Sequence, residues 1–311
     1  MSNCTCDLNK LLGNGGTPGC VVTHDVGTKT LRMPKYTNAG VRNFIDLDQV
    51  GDSAYWSAFF QNDDPSARLF PTPRFKTYTK TNADDITESF DDQTSILLQE
   101  GIINVEAIIT AKASPAMVRE LRNDRCTDYV EYVIDLRGGL IGGGVDGNKL
   151  YGIDVDNESL SIKFIDKTLT TAAKVQMNYN YSTLHKSGDL YYVESGDIGV
   201  DLLAQEGLLP LEFVVTVPTA TGATVKVSAI YGSELNKYAV PGLLPAQFIA
   251  NNDSDVTQPS PIVVTTTTEG PAGTYVLVYN VPDQPSVTDV ITLYIDKDTL
   301  SPDDRVEYTT A

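Results

Sequence analysis

The nine residues AKVQMNYNY, Ala173–Tyr181, alternate without a break. Ala173, Val175, Met177, Tyr179 and Tyr181 fall on one side of an extended chain, and Lys174, Gln176, Asn178 and Asn180 on the other. Successive side chains of an extended backbone point to opposite faces, so a period of two with one apolar side predicts a half-buried antiparallel strand. The wet side carries a lysine and amides but no carboxylate.

The neighbouring segments repeat the pattern. In IINVEAIITA (102–111), Ile103, Val105, Ala107 and Ile109 share one side, Asn104, Glu106 and Thr110 take the other, and Ile108 is the exception. FKTYTKT (75–81), YVEYVID (129–135) and SLSIKFID (159–166) read as further strands, the last with Leu160, Ile162 and Phe164 aligned. Between them ASPAMVRELRND (113–124) places Ser114 as an N-cap, Pro115 at the first helical position, and Met117, Val118 and Leu121 at helical spacing. A helix of about three turns covers one face of a curved sheet.

The glycine-rich stretch DLRGGLIGGGVDGNKLYG, Asp135–Gly152, brushes against a phosphate-binding loop. That loop needs Gly-Lys-Ser/Thr at its end, whereas Asn148 separates Gly147 from Lys149, and Leu150-Tyr151 stands where a magnesium-binding hydroxyl belongs. The stretch therefore reads as a flexible hairpin, with Asp146-Gly147 as its tight turn.

Residues 1–65 are rich in Gly, Asn, Asp and Thr and read as an extended arm with a short helix or strand around Tyr55–Phe60. Trp56, Phe59 and Phe60 are costly to leave in water and are expected to pack on the body or on a neighbouring subunit. Residues 182–211 read as a connector, with a short helix in DLLAQEGLLPLEF (201–213) stopping at Gly207. From Leu211 onward, VVTVPTATGATVKVSAI (214–230), PIVVTTTT (261–268), GTYVLVYNV (273–281) and VTDVITLYI (287–295) are β-branched and aromatic strands between Pro/Gly turns, the pattern of a small sandwich. The expected fold is mainly β. An arm (1–65) precedes a curved two-sheet, barrel-like domain with one short helix (66–210), and a small β-sandwich follows (211–311).

The formal net charge is -18, with -10 in residues 1–211 and -8 in 212–311. Global acidity argues against wrapping nucleic acid on a basic footprint. It is compatible with an acidic channel from which DNA is repelled. Cys4, Cys6, Cys20 and Cys126 form neither a disulfide framework nor a returning zinc-ligand pair. GIDVDNES (152–159) clusters Asp154, Asp156, Asn157 and Glu158 with half the spacing of a calcium loop, and reads as a solvated turn. ADDITESFDD (83–92) reads as a charge-rich loop, and His24 and His185 sit in no nucleophile context. No enzymatic activity, cofactor or metal is expected. No charged-then-apolar leader and no apolar run of 18 or more residues occurs, so no membrane anchor is expected.

The order of elements in ESFDDQTSILLQEGIINVEAIITAKASPAMVRELRND (88–124), RCTDYVEYVIDLRGGLIGG (125–143) and LYGIDVDNESLSIKFIDKTLTTAAKVQMNYNYS (150–182) resembles the tail-tube (major tail) protein of long-tailed bacteriophages. The resemblance covers roughly residues 70–210, with an added immunoglobulin-like domain at the C-terminus. It implies a homo-oligomer of six-membered rings stacked head to tail in the virion tail, assembled in the host cytoplasm beside other tail proteins. DNA would pass through the channel without sequence-specific binding. An arm and a long hairpin would link successive rings. Gly138, Gly139, Gly142, Gly143, Gly144, Asp146 and Gly147 would then form the inter-ring hairpin, and Lys174, Gln176, Asn178 and Asn180 the lumen face. Independently of the resemblance, a two-faced sheet with open edges invites pairing, and ring closure satisfies those edges.

Two other readings stand beside this one. A capsid, decoration or baseplate ring protein shares acidic β domains and differs in symmetry. A surface adhesion or carbohydrate-binding module wants a signal peptide and an exposed aromatic platform, and the sequence does not arrange Tyr231, Tyr238, Tyr275, Tyr279, Tyr294 and Tyr308 into one.

Overall fold

The computed structural model describes residues 24–62, 64–91, 95–183, 185, 190–230, 237–254, 260–280, 283–297, 301 and 304–310. In chain order the first part contains β1 (Gly27–Pro34), β2 (Ile45–Asp46), α1 (Ser53–Phe60), β3 (Phe70–Pro71), β4 (Thr77–Asn82), β5 (Ile86–Ser89), β6 (Ser95–Gln99) and β7 (Ile103–Ile109). It continues with α2 (Pro115–Arg122), β8 (Tyr129–Asp135), β9 (Leu140–Gly142), β10 (Gly144–Asp146), β11 (Lys149–Tyr151), β12 (Ile153–Ile165), β13 (Lys174–Tyr181) and β14 (Tyr191–Val193). An antiparallel sheet runs β14-β9-β8-β12-β13-β7-β4, with β1 joined to β8 and β3 joined to β1. This sheet does not close on itself, so the fold is mainly β without a closed barrel.

Strand β8 is the centre of the packing, because every residue of YVEYVID is buried. On one side Val133 meets Tyr78, Val105, Ile109, Met117, Met177 and Tyr179. On the other, Val130, Tyr132 and Ile134 meet Leu31, Ile45, Trp56, Leu140 and Leu150. A strand covered on both faces needs a layer on each side, and α2 supplies part of one while α1 supplies part of the other. Helix α2 starts where its sequence predicts: the Ser114 hydroxyl accepts from the Met117 N–H at 3.2 Å, and Pro115 opens the first turn. Met117 and Val118 are buried, with Leu121 packed beside them.

The arm expected over 1–65 is shorter than its reading. Residues 1–23 lie outside the described residues, and from Gly27 the chain belongs to the body: β1 pairs along its length with β8. Asp52 caps α1, whose Trp56 is fully buried with its indole N–H donating to the Val50 carbonyl at 2.7 Å. The aromatic residues of SAYWSAFF thus pack on their own chain. Lys29 and Arg32 give β1 the look of a surface segment, yet both are buried because distant parts of the chain supply their partners.

Lys29 also explains why no helix forms at 201–213. Its ammonium donates to the carbonyls of Leu202 and Leu203, each at 3.3 Å, and to that of Gln205. Carbonyls drawn onto a cation in this way are taken from an i to i+4 ladder, and only a turn remains at Leu202–Ala204. Burial lowers the Lys29 pKa to about 8, although the Glu206 carboxylate works the other way. Below that value both folded and unfolded chains are protonated, and the fold carries the desolvation cost. As pH rises from about 8 toward 10.5 the folded chain loses its proton first, so stability rises by at most about 1.4 kcal/mol per pH unit. Urea unfolding between these limits, compared with Lys29→Met, checks this; a flat difference between the two proteins would contradict it.

The acidic GIDVDNES segment is not a turn. It opens β12, and the register of β12 against β13 shifts between Asp156 and Ser161, so a bulge absorbs the irregular spacing. Asp154 is committed to Lys35 at 3.3 Å and Arg42 at 3.4 Å.

The second part begins at Leu211 with β15 (Leu211–Thr219) and β16 (Gly222–Ile230), followed by β17 (Lys237–Ala239), β18 (Phe248–Asn252), β19 (Ser260–Ile262), β20 (Val264–Glu269), β21 (Thr274–Tyr279), β22 (Val290–Ile295) and β23 (Val306–Thr309). One antiparallel sheet runs β15-β16-β21-β20 with β17 beside β16, and a second runs β19-β18-β22-β23. Val225, Val227, Tyr275, Leu277 and Tyr279 of the first pack on Phe248, Ala250, Ile291, Leu293 and Ile295 of the second, forming the expected sandwich. No disulfide or tryptophan pins the two sheets; Tyr279 and Tyr308 hydrogen-bond through their hydroxyls, and Tyr275 donates to the Val240 carbonyl at 2.6 Å.

Candidate functional site

The alternation of β13 appears as read: Val175, Met177, Tyr179 and Tyr181 are buried, and Lys174, Gln176, Asn178 and Asn180 are half-buried on the opposite face. Pairing with β7 sets Asn178 against Glu106 and Asn180 against Asn104, and pairing of β7 with β4 adds Thr79 and Thr81 to the same face. The Gln176 amide donates to Glu106 at 2.8 Å. Thr81, Asn104, Glu106, Asn178 and Asn180 border a depression of about 240 Å³. The four residues proposed from sequence therefore lie together on one polar, solvent-facing surface, to which β7 contributes the carboxylate that β13 lacks.

The glycine-rich stretch divides in two. Its first half is a packed corner, and the expectation of a wholly flexible hairpin does not hold there. Buried Asp135 accepts from the N–H groups of Arg137 (2.9 Å) and Gly139 (2.8 Å) and from the Tyr192 hydroxyl (3.0 Å), and Gly138 turns the chain with φ +88°. A Cβ on Gly139 would fall 2.2 Å from the Tyr192 oxygen, and one on Gly142 would fall 2.5 Å from a Leu150 methyl. These glycines serve close packing. The second half is a true hairpin of β10 and β11, in which Asp146 pairs with Lys149 and the loop is Gly147-Asn148, one residue later than expected. Gly147 has φ +62° with open space around it, as the first position of a II′ turn requires. Even this hairpin is fastened, since Lys149 and Leu150 pair with β2.

A different segment stands off the body. Among the described residues strands β5 and β6 pair only with each other, and every residue of 83–91 and 96–100 whose burial is described is exposed. The hairpin carries Ile86, Phe90, Ile96, Leu97 and Leu98, all between 44% and 59% exposed. Asp85 ties its base by accepting from the Gly101 N–H at 2.7 Å. An isolated two-stranded ribbon is marginal in water, and large apolar side chains on both of its faces mark a surface meant for contact. Sequence reading assigned these carboxylates to a loop and missed the apolar run SILLQ that follows them.

The second feature missed is internal. Glu131, fully buried in β8, accepts from the hydroxyls of Tyr181 (2.7 Å), Tyr179 (2.8 Å to one oxygen and 3.0 Å to the other) and Tyr78 (3.1 Å). Arg32, its cross-strand neighbour in β1, pairs with Asp124 and lies over the Tyr129 ring at 5.1 Å. Burial pushes the three phenols well above their ordinary range, and the Glu131 carboxylate beside them adds to the shift. The signal was present in the sequence: a carboxylate in the middle of the apolar run YVEYVI, and two tyrosines on the sealed face of β13 whose hydroxyls needed partners. The network joins β1, β4, β8 and β13 and is enclosed, so it holds the layers together without presenting a group to a substrate.

His24 is exposed with its Nδ1 3.2 Å from the Asp25 carbonyl, and His185 lies against the Tyr181 ring. Among the described residues no group of three or more His, Cys, Asp or Glu is placed to hold a metal; Cys126 is exposed, and Cys4, Cys6 and Cys20 lie outside them. No helix of the described residues is long and apolar enough to cross a membrane. Of the C-terminal tyrosines, Tyr275, Tyr279 and Tyr308 are buried, Tyr294 lies under Arg305 at 4.8 Å, Tyr238 is exposed, and Tyr231 lies outside the described residues. They form no platform among the described residues. No protein family, no curated protein and no solved structure matches this chain.

Proposed function

We propose that the chain is a structural subunit that assembles with copies of itself into stacked rings, as in the tail tube of a long-tailed bacteriophage. The observation that carries this reading is the β5–β6 hairpin, which exposes large apolar side chains on both faces and, among the described residues, pairs with no other strand. The open sheet supports it as well: among the described residues β4 and β14 end the nine-stranded sheet with one edge unpaired, and neighbours supply the missing partners in a closed ring. Within such a ring the polar face of Thr79, Thr81, Asn104, Gln176, Asn178 and Asn180 is the lumen surface, where amides and hydroxyls on an acidic protein let DNA pass without holding it. The linking role passes from Asp135–Gly152, fastened to the body, to Ile86–Gln99. The protein acts in the virion tail as an architectural component, with no chemistry of its own.

Electron microscopy of the purified full chain over a range of concentrations tests this reading. Hollow stacked rings of six subunits are expected. Closed shells or single rings of another symmetry would move the assignment to a capsid, decoration or baseplate component, and a monomer up to the solubility limit would end it.

A further inference from the structure

One rim of the first β unit gathers lysines. The pairings Thr77↔Ile108, Val175↔Ile109 and Ile165↔Lys174 bring the start of β4, the end of β7, the start of β13 and the end of β12 together there. Lys76, Lys112, Lys163 and Lys167 stand exposed at this rim, and Lys174 is half-buried beside them. Among the described residues none of the five is in an ion pair. The segments 73–81, 107–115 and 160–177 that form the rim hold one carboxylate, Asp166. Helix α2, tied to β12 by Arg122 donating to the Ile162 carbonyl at 3.3 Å, carries two arginines against Glu120 and so does not offset the lysines. Glu106, midway along β7, is engaged by the Gln176 amide. The other acids of these strands lie at the far end: Asp84, Asp85, Glu88 and Asp91 between β4 and β7, and Asp156 and Glu158 in the bulged half of β12. Strands of six and seven residues span about 20 Å, beyond the screening length of about 10 Å at 0.1 M salt, so those acids do not cancel the rim.

Beyond the rim the chain turns from β12 into β13, and the residues TLTTAA (168–173) of that turn are uncharged. Their polar groups bond to one another. The Thr168 N–H donates to the Thr171 carbonyl at 2.9 Å, and the N–H groups of Thr170 and Thr171 donate to the Thr168 hydroxyl oxygen at 3.3 and 3.1 Å. The hydroxyls of Thr168 and Thr171 lie 2.7 Å apart. Leu169, in the middle of the turn, is fully exposed. Polar groups already paired within a turn leave water at small cost, whereas a partner read by hydrogen bonds calls for free donors. An apolar tip with its polar atoms paired, collared by unpaired cations, matches an interface that is apolar inside and anionic at its surface.

We propose that the β12–β13 turn docks on an anionic lipid surface, with Leu169 entering the headgroup boundary and Lys163, Lys167 and Lys174 meeting lipid phosphates. Lys76 and Lys112 add attraction from the same rim. One leucine and a few lysines give reversible binding and no anchor. The contact stands apart from the ring reading, and its failure leaves that reading untouched.

Flotation of the full chain with lipid vesicles is the test, since floated protein cannot be mistaken for a sedimenting assembly. Vesicles of phosphatidylglycerol mixed with phosphatidylcholine carry the wild type upward at about 0.1 M salt, and about 0.5 M salt releases it. Vesicles of phosphatidylcholine alone do not carry it. Lys163→Gln with Lys167→Gln lowers the partition coefficient about 25-fold, roughly 5-fold for each charge removed. Leu169→Ser lowers it about 10-fold and leaves the salt dependence as in the wild type. All three side chains are exposed, and circular dichroism checks that both variants keep the wild-type fold. A wild type that stays below the anionic vesicles overturns the proposal. Flotation that both variants retain in full overturns it too, because binding then lies elsewhere on the molecule. If duplex DNA at the same salt is bound more tightly than the vesicles, and Leu169→Ser changes neither, the lysines serve a nucleic acid and the lipid assignment is wrong.

Discussion

Glu131→Ala lowers the unfolding free energy of the first β unit by about 3–5 kcal/mol, from buried hydroxyls left without an acceptor together with the cavity the lost side chain leaves. The substitution removes the acceptor shared by three buried phenols; Tyr78 and Tyr181 still bond each other through hydroxyls 2.7 Å apart, and each remaining donor left without an acceptor costs about 1–3 kcal/mol. Tyr78, Tyr179 and Tyr181 are all buried, and all three donate to this carboxylate. Glu131→Gln keeps the shape and one acceptor and loses less. Tyr179→Phe, which removes the two contacts that span both carboxylate oxygens, couples to it in a double-mutant cycle. The chain has a single tryptophan, Trp56, buried in the cluster on the far side of β8, so its fluorescence during urea unfolding reports this unit and not the C-terminal sandwich. Additive effects of Glu131→Ala and Tyr179→Phe would show that the carboxylate and the phenol are not one network.

Stability falls steeply above pH 10, through the same residues. Buried Tyr78, Tyr179 and Tyr181 have folded pKa values raised well above the ordinary 10.0. A group with a raised folded pKa contributes stability that is complete below its unfolded pKa and is lost as pH climbs beyond it, because the unfolded chain gives up protons that the fold still holds. Three such phenols together remove about 4 kcal/mol per pH unit above 10. The Lys29 contribution has the opposite sign and ends near 10.5, so the stability of this unit peaks close to pH 10. Tyrosine absorbance is the independent check: these phenols ionise only with unfolding, as a cooperative step. A smooth titration of all tyrosines near pH 10 in the folded protein would contradict the enclosed network.

Local patterns and remote partners divide what could be read in advance. Helix α2 was legible because its start depends on Ser114, Pro115 and the next turn alone. Strand β13 was legible because two faces of one extended segment meet two different media. The helix expected after Asp201 failed for the opposite reason: its carbonyls are claimed by Lys29, more than 170 positions earlier in the chain. Strand β1 was read as arm because residues 1–65 are rich in Gly, Asn, Asp and Thr, whereas its Lys29 and Arg32 are buried against the connector carbonyls and Asp124.

The mainly β class, the helix after Ser114 and the polar face of β13 could be read from local sequence, since period, capping and turn chemistry act over a few residues. Tertiary structure alone decided which segment is held and which stands free. Tyr192 and Leu150 occupy the space beside Gly139 and Gly142 and fasten the glycine-rich corner. The SILLQ hairpin, apolar in composition, finds no layer among the described residues to cover it. Burial is a property of what lies across the fold, and no local pattern carries that information.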